Sequence, residues 1–228
     1  VTDLISLATD RLLTTVDGLP DSDWGAPSVC VGWSRAHVIA HLALNAEGLG
    51  GAVRGLLEGR PTPMYASNES RDADIAALAA RPPAEVRERL RSAADFFADV
   101  VGGVPDLPPD ATFDRTPGGI VMPAALVPTL RLREVEIHHA DLDAGYGYAS
   151  WPTETAAAFL DRDAPRYDGA GFTAHATDLD RDWAFGSPTG DAPVVSGPAS
   201  ALAWWASGRD PGDHLTSSTG TLPTMEGR

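Results

Sequence analysis

The sequence predicts a mainly α-helical bundle followed by a small α+β domain, and three observations carry that expectation. Apolar residues recur at helical spacing through the first 150 of the 228 residues. Serine, proline and glycine fall where helices begin and end. After about Ser150 the pattern breaks into strand-length runs between shorter helical ones. The expected division is residues 1–150 for the bundle and 151–228 for the second domain.

Leu4, Ile5, Ala8, Leu12 and Val16 form the stripe of a first helix, stopped around Gly18 and Pro20. Ser34 is placed as the N-cap of a second helix running toward Gly59. Its stripe is Val38, Leu42, Leu49 and Val53, and Gly48, Gly50 and Gly51 weaken it by about 1 kcal/mol each. Residues 68–78 predict a short helix. Pro82 and Pro83 open a stronger one, with Val86, Leu90, Phe97 and Val101 inward. Residues 111–122, centred on Pro117-Gly118-Gly119, predict a small hairpin. Pro123 is expected to begin the last long helix of the bundle, with a kink at Pro128. Further on, 153–160 reads as helix, and 172–177, 182–185 and 193–196 as strands. Pro198 opens a helix over 199–207 that Gly208 closes, and 215–219 predicts a late strand.

Composition narrows the function classes. The formal net charge is −15, and all 17 basic residues are arginine. Nucleic acids and anionic membranes recruit clustered Lys and Arg, and no such cluster exists, so neither partner is expected. No apolar run reaches the roughly 18 residues of a membrane span. Residues 2–16 carry Asp3 and Asp10 and lack the basic start, apolar centre and cleavage site of a signal peptide, so cytoplasm is the expected address. One cysteine, Cys30, leaves no internal disulfide and no Cys-rich zinc module. A monomer is the default expectation. The acidity sets a problem: an anionic substrate is repelled at long range unless local arginines reverse the field.

Four of the six histidines fall on two helices. In Arg133-Glu134-Val135-Glu136-Ile137-His138-His139, Glu134 pairs with His138 and Glu136 with His139. At about 100° per residue, Glu134 and His138 fall beside Val127, Leu130 and Ile137, whereas Glu136 and His139 fall toward solvent. Residues four apart on a helix lie roughly 5–6 Å apart at Cβ, close enough to share a metal. On the second helix, His41 borders the apolar face more closely than His37. Two imidazoles and one carboxylate suit Zn²⁺ and leave an open fourth position, and helical bundles build such sites in their cores. The plainer alternatives are a Glu134–arginine salt bridge and two structural histidines.

Gly32-Trp33-Ser34-Arg35-Ala36-His37-Val38-Ile39-Ala40-His41-Leu42 resembles the Gly-Trp…His-Leu signature of the mycothiol-dependent maleylpyruvate isomerases, a branch of the DinB-like superfamily. Thr62-Pro63-Met64-Tyr65 is similar to a stretch of the isomerase, and Arg131-Leu132-Arg133-Glu134-Val135…His138…Asp141-Leu142 to its second metal motif. Val194-Val195-Ser196-Gly197, Gly208-Arg209 and residues 216–220 resemble its C-terminal domain. The resemblance implies a DinB-like four-helix bundle with zinc on His41, Glu134 and His138, a small C-terminal domain, and a functional Arg209. For Arg209 the plainer alternative is a charge at a helix C-terminus.

The implied reaction is cis–trans isomerisation of maleylpyruvate, a small dicarboxylate, to fumarylpyruvate in aromatic breakdown. Mycothiol supplies a zinc-activated thiolate that adds to the double bond, permits rotation and leaves. Arg209 grips a carboxylate or the enolate. Cys30 is an internal candidate nucleophile, and a buried inert thiol is its plainer reading. Two rivals remain: a mycothiol S-transferase or other zinc-dependent thiol enzyme on the same scaffold, and a zinc-binding regulator, against which the lack of a Cys-x-x-Cys motif argues.

Overall fold

A computed structural model describes residues 2–225. The chain divides into two compact units between Tyr146 and Gly147, four residues before the expected boundary. In the first unit, α1 (Thr2–Gly18), α2 (Arg35–Leu57), α4 (Pro83–Val101) and α5 (Val127–Asp141) form a four-helix bundle. α1 and α2 each pack against both α4 and α5, which closes the ring, while α3 (Asn68–Ala79) lies on α2. The expected stripes are the packed faces: Ile5, Ala8, Leu12 and Val16 on α1, and Val86, Leu90, Phe97 and Val101 on α4, are buried. Ser34 caps α2, its side chain accepting from the His37 N–H. A hairpin of β1 (Thr112–Asp114) and β2 (Val121–Pro123) precedes α5.

One expectation is corrected. Pro128 opens α5 instead of kinking it: Ala124–Leu126 is a 3₁₀ turn, and Pro128 lies in the first helical turn, where a missing N–H costs nothing. Gly48 and Gly50 of α2 also serve packing, whereas a Cβ on Gly51 would meet nothing within 4 Å. A Cβ on Gly50 would stand 2.7 Å from the Phe96 ring, and one on Gly48 would stand 2.9 Å from Met64. The propensity lost at these positions permits close approach of α4 and of the segment after α2.

The second unit carries α6 (Thr153–Asp163) and α7 (Ala199–Ala206), packed together on a four-stranded sheet of order β4-β3-β5-β6. β3 (Phe172–Ala176) pairs antiparallel with β4 (Arg181–Phe185) and parallel with β5 (Val194–Gly197), and β6 (Thr216–Ser217) closes the edge. Alternation puts Phe172, Ala174 and Ala176 inward, with Phe172 stacked on Phe185 at 4.7 Å. Gly208 (φ 85°) follows α7 in the left-handed conformation, its N–H bonded to Trp205 O. Among the described residues no helix is long and apolar enough to cross a membrane.

Candidate metal centre

Val38, Leu42, Leu49 and Val53 set the rotation of α2, and that rotation carries His41 into the contact with α5, where it is 4% exposed. His37, one turn earlier, is half-buried with Nδ1 2.8 Å from the Ser34 hydroxyl. Val135 and Leu132 anchor α5, and Glu134 and His138, four residues apart, face α2. Glu134 Oε2 lies 2.8 Å from His41 Nε2 and 3.5 Å from His138 Nε2. One ligand atom from each of the three lies within 4.8 Å of the others. Among the described residues no arginine forms a salt bridge with Glu134; the partners within 4 Å are the two imidazoles.

The electrostatics suit a cation. Burial lowers the pKa of His41 even against its hydrogen bond to Glu134, so the ring is neutral with a lone pair to give. Burial opposes the charge of Glu134, yet hydrogen bonds from His138 and His41 hold its pKa well below the usual range. His138 goes the other way: burial opposes its charge, but hydrogen bonds with Asp141, Cys30 and Glu134 raise its pKa well above that of a free imidazole. Its Nδ1 donates to Asp141 Oδ2 at 2.8 Å, and Asp141 is fully buried. The Cys30 thiol donates to the same oxygen at 3.2 Å and lies 3.9 Å from His138 Nδ1. Trp33 packs edge-on to His41 at 5.5 Å, and Arg71 Nη2 reaches His41 Nδ1 at 3.3 Å.

A tetrahedral zinc with bonds of about 2.0–2.1 Å spaces its donors by about 3.3 Å. The observed 2.8 and 3.5 Å bracket that spacing, so two nitrogens and a carboxylate oxygen fit zinc with little movement. Cys30, His138 and Asp141 form a second cluster of ligand type. There the Nδ1 of His138 is already spent on Asp141.

The expected solvent face of α5 is not one. Glu136 is 0% and His139 1% exposed, because α1 packs where the wheel placed water. Arg11 donates to Glu136 Oε1 at 2.6 Å, and the Tyr146 hydroxyl donates to Glu136 Oε2 at 2.5 Å; His139 Nε2 meets the Thr15 hydroxyl at 2.8 Å, and its ring stacks on Tyr146 at 3.8 Å. Burial, with Arg11 adding to it, lowers the His139 pKa to about 3, so it stays neutral. A wheel scores one apolar face, whereas α5 is covered on two sides.

Residues 5–143, from α1 through α5, match the family model described as the mycothiol maleylpyruvate isomerase N-terminal domain. The chain belongs to that family. Two solved structures resemble it over both units: a crystal structure of the mycothiol-dependent maleylpyruvate isomerase, and one of a histidine-to-alanine mutant of that enzyme. Each has a TM-score of 0.85 and 26% identity, covering 97% of this chain and 93% of the other. Among curated proteins compared by sequence, none matches.

Within this family frame, Arg209 follows Gly208 in the second unit. Its guanidinium donates to Ser207 O at 2.9 Å and lies 5.4 Å from the Trp204 ring centre. Ser207 is the C-cap of α7, so the contact includes the helix-end interaction that its position suggests. Sequence reasoning passed over Asp141 as a chemical group. The i, i+3 spacing of His138 and Asp141 was the available signal, though it gains meaning only once the ring nitrogens are placed.

Proposed function

We propose that the chain performs mycothiol-dependent cis–trans isomerisation of maleylpyruvate to fumarylpyruvate, with zinc held by His41, Glu134 and His138. That it is an isomerase enzyme follows from its family and from a structural likeness covering 97% of the chain. The zinc reading is carried by one observation: His41 from α2 converges on Glu134 and His138 from α5, and among the described residues no arginine forms a salt bridge with that carboxylate. Bound there, zinc would act as a Lewis acid, lowering the pKa of a thiol at its open position. Asp141 keeps the ring proton on Nδ1 of His138, which leaves Nε2 to ligate. Trp33 helps keep water from His41. The C=C bond rotates only while a reversibly added thiol makes it single. Arg209 is proposed to hold a substrate carboxylate or the enolate through charge-assisted hydrogen bonds.

The test mixes purified protein with mycothiol and maleylpyruvate and follows fumarylpyruvate. Turnover is expected to require added mycothiol and to survive Cys30→Ser, since the thiol comes from outside. Turnover without any thiol, abolished by Cys30→Ser, would replace this reading with an internal nucleophile. A stable thioether product instead of the trans isomer would indicate a transferase. Removing one charge-assisted bond costs roughly 1.5–3 kcal/mol, so Arg209→Ala is expected to slow turnover about ten- to a hundredfold. Zinc content should hold. Near-normal kinetics would return Arg209 to its helix-end role.

A further inference from the structure

A dicarboxylate entering a chain of net charge −15 needs a local positive field, and the first unit has built one beside the metal centre. The segment after α2 is tied to the hairpin by backbone bonds, Met64 N–H to Asp114 O and Tyr65 N–H to Arg115 O, both 2.9 Å. Gly48 lets this segment lie against α2. The pairing brings Arg115 to the Tyr65 ring, with its Cζ 5.4 Å from the centroid. A capping box of Ser67 and Ser70 starts α3 and presents Arg71 to the same ring at 5.8 Å. A cavity of about 90 Å³ is lined by His41, Tyr65, Arg71, Arg115 and Glu134, among others. That is several times the roughly 10–15 Å³ one water needs.

We propose that Arg71 and Arg115, both set against the Tyr65 ring, bind a carboxylate of the substrate in this cavity; the identity of that substrate rests on the isomerase reading above. Among the described residues, Arg115 pairs with no carboxylate: its Nη1 donates to the neutral Asn68 Oδ1 at 2.5 Å. Its guanidinium is half-buried and, like those of Arg35 and Arg131, has neutral partners in place of an acid. Among the described residues, the one carboxylate paired with Arg71 is that of its sequence neighbour Asp72, which is 67% exposed; Arg71 also interacts with the Tyr65 phenol, and its Nε is buried without a hydrogen-bond partner. Its contact to His41 Nδ1 at 3.3 Å needs a lone pair on that nitrogen. A metal on Nε2 requires the ring proton on Nδ1, and a guanidinium cannot accept it. Arg71 then has two donors, Nε and Nη2, in want of an acceptor, and a carboxylate supplies paired ones. Glu134 is the one carboxylate on this cavity wall; two imidazoles and one carboxylate on a divalent cation sum to +1, so an anion is not opposed. Mycothiol carries no carboxylate, so the thiol is not the source of the anion.

The experiment uses the zinc-loaded protein and maleate, a cis dicarboxylate that does not turn over without thiol. Calorimetry gives its Kd for wild type, Arg71→Gln, Arg115→Gln and Arg115→Lys, with zinc measured on each sample. Arg115→Gln, which touches no metal ligand, is expected to weaken maleate tenfold or more at unchanged zinc content. Arg115→Lys should recover part of that, and Arg71→Gln should match or exceed the loss. The KM for maleylpyruvate should rise in parallel, with a smaller change in kcat. Wild-type protein that does not bind maleate, or variants with unaltered Kd and KM, would overturn the proposal. If Arg71→Gln sheds zinc, Arg115→Gln alone decides. A wild type that isomerises maleylpyruvate while the variants keep its KM defeats this site and spares the isomerase reading. Arginine-dependent maleate binding without isomerisation does the reverse.

Discussion

α5 carries two Glu/His pairs, Glu134 with His138 and Glu136 with His139, and the bundle treats them in opposite ways. Toward α1, Glu136 has a guanidinium and a phenol, and His139 has a hydroxyl and a stacked ring. That side is electrically closed. Toward α2, the hydrogen-bonding partners of Glu134 among the described residues are imidazoles, and the proton on His138 is held by Asp141 from behind. Glu136 is fully buried and the Glu134 side chain is 31% exposed, and desolvating either carboxylate costs free energy unless it is compensated. One side compensates with a fixed guanidinium. The other relies on the His138 imidazolium, whose Nε2 proton a metal could replace. Burial alone therefore does not mark the site; the partners do.

The largest expected effect separates the two sides outright. His41→Ala should take zinc from about one per chain to near zero with the bundle still folded, because two ligands do not hold zinc as three do. His139→Ala and His37→Ala should keep it. Elemental analysis of the three decides. Full occupancy in His41→Ala removes that residue from the site, and zinc loss in His139→Ala erases the contrast between the two sides.

The contrast also shows what was legible beforehand. Helix order, the Ser34 cap and the α1 and α4 stripes follow from period and punctuation, which are local. The placement of Glu134 and His138 near the apolar residues of α5 is likewise a property of one helix. That Glu136 and His139 are buried is not, because it depends on α1 arriving from more than a hundred residues earlier in the chain. The same holds for Arg71 and Arg115: only the pairing of residues 64–65 with 114–115 brings them to one ring. Pro128 was ambiguous locally, since helix-opening and helix-kinking prolines differ only in where the first turn falls.

On the α1 side the expected currency is stability. Arg11→Ala strands Glu136, fully buried, with Tyr146 as its remaining partner. Breaking a buried pair costs about 3–5 kcal/mol, and solvent at the part-exposed Arg11 reduces that to about 2–3 kcal/mol. Glu136→Gln keeps one accepting oxygen for Arg11 and turns its NH₂ toward the Tyr146 hydroxyl, which can accept, so it should cost about 1 kcal/mol. Urea denaturation measures both, and zinc content should not move in either. Equal losses would mean that the pair acts through packing, not charge.

The smallest effect is the most discriminating, because it asks whether the α2 side reaches past its three donors. Asp141 ends α5, where the helix dipole disfavours an acid. It is nevertheless fully buried, with the His138 N–H and the Cys30 S–H both directed at Oδ2. If its purpose is structural, Asp141→Asn preserves shape and one accepting oxygen while relieving the dipole, and nothing but a slightly higher melting temperature should follow. If it orients His138 and sharpens its Nε2 as a ligand, loss of the charge should weaken zinc by about ten- to a hundredfold. The amide can also turn its NH₂ toward Nδ1, which would move the ring proton to Nε2 and block ligation. Zinc affinity by chelator competition, read beside the melting temperature of the metal-free protein, separates these outcomes. Weaker zinc with an unchanged or higher melting temperature assigns Asp141 to the metal centre. Wild-type affinity would confine that centre to His41, Glu134 and His138 and leave Asp141 to the fold.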